Sequence, residues 1–448
     1  MPSRQAYAIF GVVAMALLMA SIDATIVAVA LPTMLRELNT NLAWIGWTLT
    51  GYQLAQTVVM PVAGKLSDDW GRKRLFLGAV ALFTLTSMAA GLAPNVHILI
   101  IFRVLQAVGG GTFLPSATGI VSDAFGERRA AAIGLFTSIF PLGGALGPNI
   151  GGIIVDNLSW HWIFFVNVPI GIALIILGTA ILPVDHVAGN RRKIDLVGTG
   201  LFAAAILAIL YAMTVWGNDP EAFGHPLIWI SFALGAIILW VFLRHEQRTA
   251  VPIMELTLLR WRPFLAANVF NFIYGAAVFG FFSFTPYYAT VAYGMSAAES
   301  GLIMTPRSLT MALMSTVSSF FLIRFGYRLP MIIGTLLISS SLFLMSGGYH
   351  NANLLGLHIP DLAFLALVVV LAGLGMGVSA PAANNAALEL VPGKVAAAAG
   401  IRGMFRSVGG VMGTATIVLA LSHFSDKAVG AQQVFFALAI LILAVIPF

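Results

Sequence analysis

An all-helical membrane fold of two related bundles is predicted by three features of the sequence. Long apolar runs recur along the whole chain, charged residues are confined to the connections between them, and a glycine pattern of the first half returns in the second. The 448 residues are 59% hydrophobic and 9% charged, with a mean hydropathy of +0.96. A soluble domain carries about 25% charged residues, so this composition is that of a polytopic membrane protein. There is no cysteine, which excludes disulfides, thiolate metal sites and a Cys nucleophile. The formal charge is +6, and the basic residues sit in short connections, where they orient the chain rather than bind nucleic acid.

A helix of about 20 apolar residues crosses the hydrocarbon core. Taken in order, the runs and polar breaks predict fourteen spans: 7–31, 43–63, 75–93, 97–121, 130–154, 160–182, 195–216, 226–243, 264–290, 297–323, 330–347, 361–380, 396–421 and 431–448. The first run follows Arg4 and is too long for the apolar segment of a signal peptide, so it is read as an uncleaved helix. Between the second and third runs lies Gly64-Lys-Leu-Ser-Asp-Asp-Trp-Gly-Arg-Lys-Arg74, read as a short loop with six charges. Gly64 and Gly71 suit tight turns there, and Asp68 and Asp69 can pair with the basic residues or sit at helix ends. Basic residues recur in alternate connections, at Arg128 and Arg129, Arg191–Lys193, Arg244, Arg248, Arg260, Arg262, Arg324, Arg328 and Lys394. The opposite connections hold Arg36 and Lys427. This asymmetry places the N-terminus and the basic loops in the cytoplasm, in the inner or plasma membrane.

The repeat is internal. Gly109, Gly111, Pro115, Gly134, Gly143, Gly144 and Gly147 return as Gly375, Gly377, Pro381, Gly400, Gly409, Gly410 and Gly413, each 266 residues later (413 − 147). Parallel repeats of this kind build secondary transporters. The fourth and fifth spans therefore correspond to the twelfth and thirteenth, which leaves two inserted spans between six and six. The domains expected are 1–182, a six-helix bundle; 183–263, two inserted helices with their linkers; and 264–448, a second six-helix bundle.

Ionisable residues within spans are costly and are functional candidates by default. Asp23 lies in the first span and Arg103 at comparable depth in the fourth; a carboxyl in low-dielectric surroundings binds protons more readily. Gly143, Gly147 and Gly151 share one helix face, which admits a close backbone, and Pro148 bends that helix, as suits a gate. Tyr52, Gln53, Gln56, Asn268, Asn271, Tyr274, Asn384 and Asn385 are candidates for a cavity wall, or for hydrogen bonds between helices. Arg402 and Arg406 are expected to snorkel to the interface, and Trp160 and Trp162 to join an interfacial aromatic belt. There is no Gly-x-x-x-x-Gly-Lys-Ser/Thr, His-Glu-x-x-His or Gly-x-Ser-x-Gly, so neither a nucleotide motor nor an enzyme is supported, and no cofactor or metal is expected.

Several of these stretches resemble one family. Gly64, Leu66, Asp68, Gly71, Arg72, Lys73 and Arg74 match the loop between helices 2 and 3 of the major facilitator superfamily, with Asp69 where the family often has a basic residue. Ser-Ile-Asp23-Ala-Thr-Ile-Val-Ala-Val-Ala-Leu-Pro32 resembles the first-helix signature of its fourteen-helix drug:proton antiporters, with Ala28 in place of Asn. Arg103-Val-Leu-Gln-Ala-Val-Gly is similar to a motif tied in that family to proton transfer, with Ala107 for its first Gly. Gly143–Gly152 resembles the antiporter motif of the fifth helix, and Trp160-His-Trp-Ile-Phe-Phe-Val-Asn-Val-Pro169 that of the sixth, with His161 for Arg.

The resemblance implies a proton-coupled exporter of drugs, or of lipophilic or cationic small molecules, working by alternating access. Asp23 would take the proton and Arg103 would modulate it. Gly64, Asp68, Gly71 and Arg72 on one side, and Gly143, Gly147, Pro148 and Gly151 on the other, would stabilise the two states. A lipid or amphiphile translocator and a metabolite exporter remain open on the same scaffold. A non-transporting sensor is disfavoured, because no connection is long enough for an output domain. The partners expected are protons, the bilayer and small molecules, with the oligomeric state left open. The orientation is tested with single cysteines at positions 191 and 219: an impermeant thiol reagent on intact cells should label position 219 and spare position 191.

Overall fold

The structure is a computed structural model and describes residues 4–183, 195–354, 357–391, 394–444 and 446. The chain begins with α1 (Arg4–Glu37), the one-turn α2 (Leu42–Ile45), α3 (Trp47–Trp70), α4 (Arg72–Gly91), α5 (Val96–Phe125), α6 (Arg129–Thr137) and α7 (Ile139–Asn157). The one-turn α8 (Trp162–Phe165), α9 (Asn167–Ile181), α10 (Leu196–Asn218) and α11 (Pro226–Glu246) follow. The remainder is α12 (Arg262–Tyr293), α13 (Ala297–Phe325), α14 (Arg328–Ser346), α15 (Asp361–Glu389), α16 (Val395–Ser422) and α17 (Lys427–Leu443). Two-residue strands, β1 (Asn353–Leu354) and β2 (Leu357–His358), pair antiparallel in one connection, a small departure from the all-helical expectation.

Among the described residues, eleven helices are long and apolar enough to cross a membrane. Three more run alongside them. α3 and α13 carry many hydroxyl, amide and charged side chains, and α17 has 17 residues.

Three boundaries differ clearly from the sequence expectation, and one of them is the end of α15, which runs through Pro381 to Glu389 rather than stopping at 380. α1 continues through Pro32 to Glu37. A proline removes one helix hydrogen bond, but the flanking Val29, Leu31 and Met34 are buried and hold the helix together. The Gly64–Arg74 stretch is not a loop: α3 runs to Trp70, α4 starts at Arg72, and Gly71 alone separates them. Its φ of +99° is a conformation that glycine enters without a Cβ penalty. The charges there mark where the helices leave the apolar layer, not where they stop.

In lipid, helix association depends on close packing rather than on removal of apolar surface from water. The repeated glycines supply that packing. Gly147 of α7 lies on the Ile22 carbonyl of α1, and Gly413 of α16 on the Ala276 carbonyl of α12. Gly109 of α5 lies on the Ala79 carbonyl of α4, and Gly375 of α15 on the Gly334 carbonyl of α14. Gly111 meets the Gln56 backbone of α3, and Gly377 the Met311 carbonyl of α13. The contacts follow the same plan on both sides: α1 with α7, α3 and α4 with α5, and α4 with α9 before the inserted helices; α12 with α16, α13 and α14 with α15, and α14 with α17 after them.

α10 and α11 pack on one another, and α10 also touches α16 and α3. Trp47 Nε1 donates to Thr214 Oγ1 at 2.7 Å across that seam. Asp195 caps α10 through Gly198 N–H at 2.8 Å and lies 2.9 Å from His245 Nε2 of α11. Burial alone would raise the Asp195 carboxyl, but the backbone donor and His245 outweigh it and hold the group below its ordinary value.

The two halves meet at the end of the bundle that carries Glu37. A continuous apolar core there joins Ile26, Met34, Ile45 and Trp160 to Tyr287, Met295, Ile303 and Ile417. A second core, around Ile9, Phe76, Phe113 and Phe136, lies within the first half towards the end that carries Arg74. Replacing Gly413 with Leu should drive a side chain into the Ala276 backbone and cost about 1–3 kcal/mol. A fall in the midpoint of thermal unfolding in detergent checks this, with Gly400→Leu as a control at a site where none of the described residues comes within 4 Å of an added Cβ.

Candidate functional site

The most closely connected buried polar group in the first half is built from five helices. Asp23 of α1 and Arg103 of α5 are both fully buried, and Arg103 Nη1 donates to Asp23 Oδ2 at 2.7 Å. The same Nη1 donates to Gln106 Oε1 at 2.7 Å. Gln106 Nε2 and Asn167 Nδ2, the latter from α9, each donate to Asp23 Oδ1 at 2.9 Å. Both amides also donate to Ser87 Oγ of α4, at 2.9 and 3.0 Å, and Ser87 Oγ donates to the Phe164 carbonyl at 2.9 Å. Arg103 Nε reaches the Thr48 carbonyl at 3.3 Å, and its guanidinium lies 4.0 Å from the Tyr52 ring centroid. Arg103 Nη2 is buried with no hydrogen-bond partner among the described residues.

A buried ion pair of this kind is held by its neighbours as much as by its own attraction, since both charges have left water. Three donors saturate the carboxylate. Protonation of Asp23 would remove the charge that Arg103, Gln106 and Asn167 converge on, so it would loosen three helices, α1, α5 and α9, at once.

Gln106, Asn167 and Ser87 were not singled out from the sequence, although Gln106 and Asn167 lie inside the stretches that carry the family resemblance. Their signal was an amide or hydroxyl within a span, and Asn167 was obscured by the aromatic run before it. Trp160 corrects the belt reading: it is buried, and its Nε1 donates to Glu37 Oε2 at 2.8 Å, tying the end of α1 to α8. Trp162 is half exposed.

The expected cavity wall divides into two groups. Tyr52 is buried against Arg103, Gln56 Nε2 reaches Tyr52 OH at 3.4 Å, and Gln53 is half-buried one residue further along α3. In the second half, Tyr274 OH lies 3.5 Å from Ser379 Oγ, and Arg402 Nη1 donates to Asn384 Oδ1. Asn268 and Asn271 donate to carbonyls of their own helix, and their Oδ1 atoms are buried without partners among the described residues. Asn385 is exposed. Arg402 and Arg406 do not snorkel: they lie about 10 and 16 Å along α16 at 1.5 Å per residue, and the Nε of each is buried.

The gating candidates are in place on two sides. At the Arg74 end, Arg72 Nη1 donates to the Gly119 carbonyl at 2.7 Å and pairs with Asp123 at 2.6 Å, while Lys73 Nζ binds the Thr179 and Leu182 carbonyls. Gly64 faces Pro115, whose Cβ is within van der Waals reach. The Asp68 side chain lies outside the described residues. At the other end, α7 is held between α1 and α13. Gly143, Gly147 and Gly151 lie on Ser21, Ile22, Thr25 and Ile26 of α1, whereas the Pro148 carbonyl and Gly152 lie on Gly301 and Ala297 of α13. Asp156 accepts from Ala297 N–H and Ala298 N–H at 3.1 and 2.7 Å, and Asn149 Nδ2 donates to Thr305 Oγ1 at 2.6 Å.

Comparison with known proteins bears on the whole chain. A family profile described as Major Facilitator Superfamily matches residues 13–291 and 267–448. The chain is 32% identical over 413 residues to the multidrug transporter protein MdtP of Bacillus subtilis (strain 168), covering 92% of this chain and 74% of that protein. It is 33% identical over 419 residues to the tetracenomycin C resistance and export protein of Streptomyces glaucescens, covering 92% and 76%. Among solved structures, the nucleoside transporter NupG superposes with a TM-score of 0.71 at 14% identity, covering 98% of each chain. A bacterial homologue of the human lysosomal transporter Spinster gives 0.71 at 14% identity, covering 100% of this chain and 96% of that one.

Removing one member of the buried pair leaves an uncompensated charge. Arg103→Ala should therefore destabilise the protein by about 3–5 kcal/mol, and the double variant Asp23→Asn/Arg103→Gln by less. Thermal unfolding of the single and double variants in detergent measures the coupling; additive losses would show that the pair does not act as a unit.

Proposed function

Because the chain belongs to the Major Facilitator Superfamily, we propose that it is a proton-coupled exporter of small apolar or amphiphilic compounds, working by alternating access. The reading takes fourteen membrane helices, α6 with α7 and α8 with α9 each forming one span. It divides them into a first bundle (1–182), two inserted helices with their linkers (183–263) and a second bundle (264–448). The N-terminus and the Arg74 end face the cytoplasm in the cell membrane.

The observation that carries the coupling is the buried Asp23 with its donors Arg103, Gln106 and Asn167. Asp23 is the proton acceptor in this reading. With Asp23 charged, the network ties α1 to α5 and α9; with Asp23 neutral, Arg103 is free to seek another partner, and its unused Nη2 is the first donor available. Uphill export without a nucleotide motif requires such an ion-driven step. Asp156, Asn149 and the α7 glycines hold the outer side closed, and Gly71 with Arg72 lets the opposite side close in turn. The names of the two relatives, one a multidrug transporter and one an antibiotic exporter, support the class of cargo.

Everted vesicles with an acidic lumen and a panel of neutral, cationic and anionic fluorescent dyes test this. The native protein should accumulate at least one dye uphill. Asp23→Asn should abolish uphill accumulation while downhill exchange persists. Addition of that dye to purified protein should release protons from the native protein and not from Asp23→Asn; equal release from both would assign the proton to another group.

A further inference from the structure

The two halves differ where their backbones correspond. The glycine contacts align Ile22 with Ala276, Gln56 with Met311 and Gly147 with Gly413. By the same offsets, the second-half counterparts of Asp23, Arg103 and Gln106 are Ala277, Val369 and Ala372. The counterparts of Phe136, Phe140 and Tyr52 are Arg402, Arg406 and Arg307. The first half therefore buries a compensated charge pair, whereas the second half carries arginines at the matched places, Arg307 buried and Arg402 and Arg406 half-buried.

Among the described residues, no salt bridge joins a carboxylate to Arg307, Arg402 or Arg406. From residue 262 onward the carboxylates are Glu299, Asp361, Glu389 and Asp426. Glu299 is in the capping box of α13, Asp361 and Glu389 are the end residues of α15, and Asp426 caps α17. Arg402 and Arg406 stand one turn apart on α16. Arg402 is held by Asn384, and the Arg406 guanidinium lies 5.5 Å from the Tyr274 ring centroid and 5.6 Å from that of Phe279. The Nε of each is buried without a partner among the described residues. Arg307 of α13 adds a third guanidinium, 3.4 Å over the Phe282 ring, with Nε and Nη1 also unpartnered.

Guanidinium remains charged in proteins, and its planar fork matches a carboxylate in two hydrogen bonds. Adjacent aromatic faces accept the apolar body to which such a group is attached. We propose that Arg402 and Arg406, with Tyr274 and Asn384, form the site for the anionic group of the transported compound, so that the cargo is an aryl or alkyl carboxylate rather than a cation. This rests on the export reading and narrows it: two arginines one turn apart repel the cationic class that the family resemblance implied.

The test uses three probes with one apolar body: naphthylacetate, naphthylacetamide and naphthylmethyl-trimethylammonium. Binding to purified protein in nonionic detergent is read by naphthyl fluorescence. The native protein should bind the carboxylate at least about tenfold more tightly than the amide, and the ammonium most weakly. Arg402→Gln and Arg406→Gln should each remove that preference while amide binding stays within about twofold, and Arg406→Lys should restore part of it. No preference for the carboxylate in the native protein overturns the site whether or not the variants fold. Parallel loss of amide and carboxylate binding in variants of unchanged thermal stability also overturns it. Carboxylate binding without uphill accumulation in vesicles would leave the site standing and remove the export reading. Uphill accumulation of the amide or ammonium with no carboxylate preference would do the reverse.

Discussion

A carboxylate and a guanidinium with no access to water set the register of the first half. Asp23 can stay charged in that place only if Arg103 and Gln106 of α5 and Asn167 of α9 all reach it. α1, α5 and α9 must therefore meet at one depth, and Ser87 and Thr48 bring α4 and α3 to the same point. The cost of leaving any member unpaired in an apolar layer exceeds what packing could recover by sliding a helix. This makes the pair a structural tie between the helices of the first half.

Around it, the glycines do a different task. Apolar side chains gain little from leaving lipid for one another, so contact area comes from backbones that approach closely. α7 uses two of its faces in this way, one against α1 in its own half and one against α13 in the other. The seam between halves thus combines these backbone contacts and a few hydrogen bonds, such as Asp156 to the start of α13, with the apolar core that joins Met34 and Trp160 to Tyr287 and Met295.

The repeat supplies a common frame, and the frame is filled asymmetrically. Small residues recur at the matched contacts, because each half solves the same packing problem. The charged and amide groups of the first half, Asp23, Arg103 and Gln106, do not recur: Ala277, Val369 and Ala372 stand at the matched places. Tyr52 and Arg307 occupy matched places yet one stacks on a guanidinium and the other is a guanidinium.

Much of the architecture was legible in the sequence because the bilayer imposes one-dimensional rules: apolar runs of fixed length, charges at their ends and a glycine period that survives in the repeat. Asp23 and Arg103 stood out for the same reason, since a charge within an apolar run is conspicuous. Helix ends were misplaced at Pro32 and at Gly64–Trp70, because polarity reports the edge of the membrane and the backbone continues past it. What only the tertiary structure decided is which polar groups meet. Gln106 is unremarkable along the chain and becomes a partner of Asp23, with Ser87 accepting from the same amide, through a convergence of helices far apart in sequence. Arg402 and Arg406 look like interfacial residues near a helix start, and only the position of Asn384 and Tyr274 across α15 and α12 shows them turned inward. Hydropathy is a local property and hydrogen bonding between helices is not, so the spans could be read residue by residue whereas the site required the fold.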